Sequence, residues 1–249
     1  MSRLQHNLVW ALAIFVLSGQ SYAEQVRVAV ASNFANTIQD IAELFERESN
    51  HQVTLIVGST GKQYAQIKHG APFDAFFAAD SRRPELLETE GLIQKDSRFT
   101  YAVGKVVLWS PDTSKVDDMG NILDSDRFHY LSIANPKLAP YGKAAQQILT
   151  KRNLWKKLRG RMVRGENIGQ AYQFVNSENA DIGFVALSQI KQPGHEIKGS
   201  YWQPSQSLYS PIEQQAVLLS NKKAASDFVN FVKSDKAREI IKGYGYGTL

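Results

Sequence analysis

The sequence predicts an α/β protein of two lobes, each a mixed, mainly parallel sheet flanked by helices. Strand and helix patterns alternate over residues 24–91 and again over residues 130–187, which is typical of parallel α/β sheets. Two long apolar runs, 100–110 and 209–220, separate these stretches. Each run is longer than a strand of a single small sheet needs, so both are predicted to cross between the lobes and act as a hinge.

The elements of lobe 1 follow from apolar spacing and from glycines at helix ends. Phe34, Ile38 and Phe45 recur at helical spacing after an apolar strand. Gly70 and Gly91 are placed to end the two helices that follow. The predicted strands are 26–31, 52–57 and 74–79, and the predicted helices are 36–48, a helix that carries Tyr64 and Ile67, and 84–90.

Lobe 2 repeats this alternation, and the second crossing returns the chain to lobe 1. The predicted strands of lobe 2 are 130–134, 162–165 and 180–187, and its predicted helices are 141–152 and 170–176. Two further helices, 222–232 and 235–242, are predicted to pack on lobe 1. Lobe 1 is therefore assigned residues 24–104 and 209–249, and lobe 2 residues 105–208.

Residues 1–23 are predicted to be a signal peptide. Arg3 supplies a basic start, residues 8–17 are apolar, and Ser21-Tyr22-Ala23 fits a cleavage signal after Ala23. The 249-residue chain has no cysteine for a disulfide or an N-terminal lipid anchor. We expect an exported, periplasmic monomer of a Gram-negative envelope. Its formal net charge of +5 is spread along the chain, which favours a solvated surface over nucleic-acid binding.

Four strand-to-helix corners carry Gly, Ser or Asn residues. They are Ser32-Asn33, the Gly-Ser-Thr-Gly-Lys stretch 58–62 that contains Ser59, the Pro-Tyr-Gly stretch around Tyr141, and the Asn-Ile-Gly stretch around Ile168. Each presents backbone N–H groups, with hydroxyl or amide donors, at a helix N-terminus, which suits an anion. Simple helix capping is the alternative at each corner. Two corners from each lobe together favour a dehydrated oxyanion held by neutral donors in the cleft.

The 58–62 stretch differs from the phosphate loop of NTPases. Its glycines are too closely spaced, and Gln63 stands where a Ser or Thr would hold magnesium. Lys62 follows the turn but is expected to point outward from the first turn of its helix, so it is not assigned as the counter-charge of an anion.

Metal-ion binding and catalysis have little support in the sequence. The histidines of the mature chain, at 51, 69, 129 and 195, lie in separate segments without ligand spacing. No Gly-x-Ser-x-Gly elbow occurs. A secreted serine hydrolase with Ser59 or Ser32 as nucleophile is therefore a disfavoured alternative, and an envelope adaptor that binds another protein is a third.

Short motifs along the whole mature chain resemble a known family. They are Val-Ala-Ser-Asn-Phe at 30–34, Gly-Ser-Thr-Gly-Lys with Tyr-Ala-Gln-Ile at 58–67, Gly-Ala-Pro-Phe-Asp at 70–74, Ala-Ala-Asp at 78–80, Ala-Pro-Tyr-Gly at 139–142 and Gly-Phe-Val-Ala-Leu at 183–187. In this order they resemble periplasmic molybdate-binding proteins. The resemblance implies the two-lobed periplasmic binding protein fold, no enzymatic turnover and no cofactor. It also implies delivery of molybdate, or tungstate, to the membrane permease of an ABC importer.

The resemblance also implies a set of site residues. Carried over position by position, the oxyanion ligands are Ser32, Asn33, Ser59, Tyr141 and Ile168, with Tyr141 and Ile168 acting through the backbone. Thr60 is a neighbour of this set. Ala186 stands where one branch of the family has a tyrosine, which aligns this chain with the branch that uses the Tyr141 corner.

Molybdenum would be bound as its oxyanion, with no direct ligand from the protein to the metal. Sulfate or another tetrahedral oxyanion is the alternative ligand, because the sequence does not give the radius of the cavity.

Overall fold

The computed structural model describes residues 23–247, so the predicted signal peptide lies outside the described residues except for Ala23. The strands are β1 (Gln25–Ala31), β2 (Gln52–Gly58), β3 (Ala75–Phe77), β4 (Phe99–Gly104), β5 (Val106–Ser110), β6 (Leu131–Ala134), β7 (Met162–Gly165), β8 (Ile182–Ala186), β9 (Ser200–Trp202) and β10 (Ile212–Leu218). The helices are α1 (Ala35–Glu48), α2 (Thr60–Lys68), α3 (Arg82–Thr89), α4 (Pro140–Lys151), α5 (Ile168–Asn176), α6 (Leu187–Ile190), α7 (Lys223–Val232) and α8 (Asp235–Gly243).

The strands form two five-stranded sheets, which confirms the predicted fold class. The first sheet has the order β2-β1-β3-β10-β4, and the second has the order β7-β6-β8-β5-β9. In the first sheet β1 is parallel to β2 and β3, while β10 is antiparallel to β3 and β4. In the second sheet β6 is parallel to β7 and β8, while β5 is antiparallel to β8 and β9.

The apolar run 100–110, which was predicted as one crossing segment, is divided in the structure. It is two strands, β4 in the first sheet and β5 in the second, with Lys105 between them. The break lies where the chain passes from one sheet to the other, because each half takes its hydrogen bonds from a different sheet. The second run ends in β10, which pairs in the first sheet. We propose lobe boundaries at these crossings, with residues 24–104 and 209–249 in lobe 1 and residues 105–208 in lobe 2.

Both sheets are covered by helices on both faces. In lobe 1, the neighbouring residues Phe76 and Phe77 belong to two different apolar clusters, because successive side chains of a strand point to opposite faces. Phe184 and Val185 of β8 are divided in the same way in lobe 2. This burial on two faces accounts for the continuous apolar runs that predicted the central strands. Among residues 23–247, no helix combines the length and apolar character needed to cross a bilayer.

Several helix starts differ from the prediction by one or two residues, and two of them lie at the predicted corners. Helix α4 begins at Pro140 and α5 begins at Ile168, one and two residues before the predicted starts. Tyr141 and Ile168 therefore lie in the first turns of these helices, where backbone N–H groups have no acceptor within the helix. The short elements β9 and α6 were not predicted, since three or four residues carry too little periodicity to be detected.

Candidate oxyanion-binding site

The four predicted corners meet around one small cavity between the sheets. The cavity is small, with a volume of about 10 Å³. Its lining includes all five predicted ligands: Ser32, Asn33, Ser59, Tyr141 and Ile168. The other lining residues are Ala31, Gly58, Thr60, Ala79, Ala139, Pro140 and Asn167. The corners follow the carboxyl ends of β1, β2, β6 and β7, where ligands of open α/β sheets bind.

The Ser32 corner is a 3-10 turn, Ser32–Phe34, between β1 and α1. The Ser32 hydroxyl oxygen accepts a hydrogen bond of 3.1 Å from the backbone N–H of Gly169, in the first turn of α5. A hydroxyl that accepts in this way keeps its own proton to donate. Ser32 therefore supplies a donor at a point where the two lobes touch.

Asn33 faces the cavity differently from the prediction. Its side-chain amide was expected among the donors, but Nδ2 instead donates to Gln214 Oε1 at 2.8 Å and to the Tyr246 hydroxyl at 3.0 Å. The residue is buried, and these partners lie on the core side of the corner. The backbone N–H of Asn33 donates no hydrogen bond within the described chain, so it is the donor that Asn33 can offer to a ligand.

Ser59 lies at the N-cap of α2 without acting as a side-chain cap. Its backbone is extended, with φ −80° and ψ 140°, and its hydroxyl accepts no bond from the helix. The hydroxyl oxygen is buried and has no hydrogen-bond partner in residues 23–247. A buried hydroxyl without a partner is costly, and here it borders the cavity. The capping alternative therefore fails at this corner.

Thr60 and Asn167 have structural roles beside the cavity. The Thr60 hydroxyl oxygen accepts from the Ala79 backbone N–H at 3.1 Å and so ties α2 to the end of β3. The Asn167 side chain caps α5 by accepting from the Gln170 N–H at 3.0 Å. Capping is thus correct for Asn167, and the adjacent Ile168 N–H has no acceptor within residues 23–247.

Tyr141 and Ile168 are the contributions of lobe 2. Neither backbone N–H donates a hydrogen bond in the described part of the chain. Both residues are buried, and their side chains belong to the apolar core of lobe 2. The side-chain hydroxyl of Tyr141 accepts from Gln214 Nε2 at 3.1 Å, so only its backbone faces the cavity. These N–H groups lie at the positive ends of α4 and α5.

Among residues 23–247, no charged side chain lines the cavity. Lys62 points outward as predicted: its side chain is 56% exposed and its ammonium lies 3.3 Å from Glu166 Oε2. The cavity thus combines uncharged donors with the N-terminal ends of α2, α4 and α5, each of which carries roughly half a positive charge. Such a set suits a small anion.

Direct contacts between the lobes surround the cavity. The Gly61 N–H donates to the Leu138 carbonyl at 2.9 Å, and Arg83 Nη2 donates to the Lys137 carbonyl at 3.1 Å. The Lys62–Glu166 ion pair adds a third contact. Together with the Ser32–Gly169 bond, these contacts hold the cleft in a closed arrangement.

The chemistry of a hydrolase or a metal centre is not assembled here. In the described residues, neither Ser32 nor Ser59 forms a hydrogen bond with a histidine. No group of three or more His, Cys, Asp or Glu side chains is placed to hold a metal ion within residues 23–247.

Several buried residues behind the cavity were not predicted from the sequence. Gln214 on β10 and Tyr246 near the C-terminus hold Asn33, and the Ser188 hydroxyl donates to the Asn33 carbonyl at 2.9 Å. A sequence signal exists for Gln214, because it occupies an inward position of the apolar strand Ile212–Leu218. Tyr246 and Ser188 carry no such signal.

A closed two-lobed fold with an anion-suited cavity between the lobes defines the class of hinged solute-binding proteins. The family model described as "Bacterial extracellular solute-binding protein" matches residues 26–247. The chain belongs to this family.

Several similar proteins are described as molybdate-binding. The chain is 48% identical to the molybdate-binding protein ModA of Azotobacter vinelandii, over 99% of both chains. It is 44% identical to the ModA of Rhodobacter capsulatus, over 97% of this chain and 93% of that protein. The solved structure of the periplasmic molybdate-binding protein of Azotobacter vinelandii superposes with a TM-score of 0.88, at 41% identity, over 90% of this chain and 99% of that one.

Proposed function

We propose that this protein captures molybdate, and also tungstate, between its lobes and delivers it to the membrane permease of an ABC importer. The observation that carries this proposal is the buried Ser59 hydroxyl, which has no partner in the described chain and borders an uncharged cavity. Relatives at 48% and 44% identity that are molybdate-binding proteins support the choice of ligand. No catalytic turnover is part of the function.

Five residues are proposed as ligands of the oxyanion. Ser32 and Ser59 donate through their hydroxyls, and Asn33, Tyr141 and Ile168 donate through their backbone N–H groups. Lobe 1 supplies the first three residues and lobe 2 the last two. A tetrahedral oxyanion has four acceptor oxygens, so donors that converge from both lobes can surround it.

Neutral donors are sufficient to hold a dianion. A hydrogen bond to a charged group contributes about 1.5–3 kcal/mol, and several together offset the desolvation of the anion. Helix N-termini add to this stabilisation without a counter-ion. Separation of the lobes removes the lobe 2 donors and so weakens binding of the anion. In residues 23–247, no Lys or Arg side chain lines the cavity, so no positive side chain retains the anion after the lobes separate. This provides a route to release at the permease.

Export of the protein accompanies this function. We propose that residues 1–23 are removed after Ala23 and that the mature chain acts in the periplasm as a monomer. The family of extracellular solute-binding proteins supports an exported location.

A thermal-shift panel on the mature chain tests the proposed function. A ligand that binds only the folded state raises the melting temperature by mass action. Molybdate and tungstate are expected to give large shifts, and sulfate, phosphate and chromate small ones at equal concentration. Equal shifts with sulfate would assign the cavity to tetrahedral oxyanions in general. No shift with any anion would contradict the function.

A further inference from the structure

A buried hydrogen-bond network joins two of the proposed ligand corners from behind. Its centre is Gln214 on β10, which is fully buried. Gln214 Oε1 accepts from Asn33 Nδ2 at 2.8 Å and from the Tyr101 hydroxyl at 2.9 Å. Gln214 Nε2 donates to the Tyr141 hydroxyl at 3.1 Å. One side chain therefore contacts a corner of lobe 1 and a corner of lobe 2.

The network holds Asn33 at both its side chain and its backbone. The Tyr246 hydroxyl donates to the Asn33 carbonyl at 2.7 Å and accepts from Asn33 Nδ2 at 3.0 Å. The Ser188 hydroxyl donates to the same carbonyl at 2.9 Å. Among the hydrogen-bond donors of Asn33 in the described chain, only the backbone N–H is left for a ligand, while the side-chain Oδ1 is an acceptor without a partner. The orientation of that N–H is thus set by groups that do not line the cavity.

The network lies where the two crossings between the lobes meet. Gln214 belongs to the second crossing, and Gly104, the last residue of β4, lies within the first crossing. A Cβ atom on Gly104 would lie 2.1 Å from the Tyr141 hydroxyl oxygen and 2.6 Å from Gln214 Nε2. Both distances are too short for any side chain. The Tyr141–Gln214 bond therefore requires glycine at position 104.

The network is uncharged under physiological conditions. Burial raises the pKa values of the Tyr101, Tyr141 and Tyr246 phenols above their ordinary value, so all three keep their protons. A neutral and almost fully connected buried network is rigid, because each member fixes the orientation of the next.

We propose that Gln214 is a positioning residue for oxyanion selection. It holds the Asn33 and Tyr141 backbone donors of the two lobes at a fixed separation, although it does not line the cavity. This inference rests on the proposed function and deepens it. Donors fixed at a separation suited to a large oxyanion cannot all reach a smaller one, so the network favours molybdate over sulfate.

Calorimetric titration of Gln214→Met and Tyr141→Phe tests the proposal. Methionine preserves the approximate volume of glutamine but removes its donor and acceptor. Phenylalanine removes only the Tyr141 hydroxyl and keeps the backbone N–H that faces the ligand. Each variant is expected to raise the Kd for molybdate by about tenfold. The double variant is expected to be no worse than either single variant, because both changes break the same bond.

Two comparisons separate positioning from folding. Gln215→Met is the matched control, since the neighbouring amide bonds to Thr100 and Arg98 and does not line the cavity. It is expected to lower the melting temperature and leave the molybdate Kd within about twofold, the usual scatter between independent sites. In Gln214→Met the ratio of sulfate Kd to molybdate Kd should fall, because loosened corners can approach a smaller anion. A purely structural role would not change this ratio.

The outcomes distinguish this proposal from the proposed function. If the wild-type protein gives no binding heat with molybdate, both are overturned. If the wild-type protein binds molybdate and the Gln214→Met and Tyr141→Phe variants bind it equally well, only the positioning role is overturned. If Gln214→Met does not fold, the Kd of Tyr141→Phe for molybdate is the test. A Kd equal to that of the wild type then overturns the positioning role.

Discussion

The Ser32 hydroxyl of lobe 1 accepts a hydrogen bond from the Gly169 backbone N–H of lobe 2 at 3.1 Å. The bond satisfies an N–H in the first turn of α5 that has no acceptor within the helix. It also orients the hydroxyl so that its proton is free for an anion in the cavity that Ser32 lines. One side chain thus connects closure of the cleft with completion of the donor set.

Removal of the Ser32 hydroxyl should weaken both closure and binding. In Ser32→Ala, a donor to the anion and the acceptor for Gly169 are lost together, so we expect the Kd for molybdate to rise by about tenfold or more. Calorimetric titration measures this change. Ser132→Ala is the control, because its buried hydroxyl donates to the Ala171 carbonyl at 2.8 Å outside the cavity lining. Equal affinity in Ser32→Ala and the wild type would exclude Ser32 as a ligand.

A bulky residue at position 61 should oppose closure. A Cβ atom on Gly61 would lie 3.0 Å from the Leu138 carbonyl oxygen of the opposite lobe. In Gly61→Val we expect the lobes to remain apart, because backbone atoms cannot move aside as a flexible side chain can. Small-angle scattering should show that molybdate reduces the radius of gyration of the wild type but not of this variant.

The matching control for closure is Gly160→Val, at a position where an added Cβ meets no atom within 4 Å. This variant should contract with molybdate as the wild type does. If Gly61→Val contracts equally, the contact between Gly61 and Leu138 does not limit closure.

The stability of lobe 2 should depend on pH through Asp181. Its carboxylate accepts from the N–H groups of His129 at 2.9 Å and Tyr130 at 3.0 Å, and lies 3.5 Å from the Lys115 ammonium. Burial disfavours its ionisation, but these partners together hold the pKa of Asp181 below its ordinary value. A lowered pKa in the folded state stabilises the protein above the unfolded pKa, and this contribution is lost as the pH falls through the folded value.

Asp181→Asn is therefore expected to reduce the free energy of unfolding by about 1–2 kcal/mol at pH 7. Urea unfolding at pH 7 and pH 3 measures the difference from the wild type, which should narrow at pH 3. Asp126→Asn, at an exposed carboxylate, is the control. A difference that stays constant or widens in acid would contradict this role of Asp181.

The sequence predicted most of the fold because its strands are apolar on both faces and its helices have clear ends. Phe76-Phe77 and Phe184-Val185 are buried on opposite sides of their sheets, so they form unbroken apolar runs. The lobe boundary was placed between residues 104 and 105, but the interruption of the strand at Lys105 was not predicted, because residues on both sides are equally apolar. It depends on which sheet accepts each half, and that is decided by distant strands.

The candidate site was predictable in position but not in the direction of every side chain. Gly, Ser and Asn residues after strands indicated the four corners, and each of the four corners contributes residues to the cavity lining. The amide of Asn33 turns into the core because its partner, Gln214, is supplied from 181 residues away. Local sequence contains no information on such a contact. The Ser59 side chain likewise borders the cavity and does not cap α2. The sequence could not distinguish these two roles, because serine is common in both.

Neutral donors, and not a counter-charge, are proposed to hold the anion. Ser59 and Lys62 separate these mechanisms, because they lie three residues apart on the same corner. Ser59→Ala removes a hydroxyl donor to a desolvated dianion, which should cost about 1.5–3 kcal/mol, or roughly ten- to hundredfold in affinity. Lys62→Ala removes a charge whose side chain is 56% exposed, and the loss expected of such a surface ion pair is under about 1 kcal/mol.

Calorimetric titration of molybdate into both variants distinguishes the two mechanisms. A site built from neutral donors predicts a large rise in Kd for Ser59→Ala and a change of less than about fivefold for Lys62→Ala. A greater loss of affinity in Lys62→Ala than in Ser59→Ala would contradict it and show that the site depends on charge.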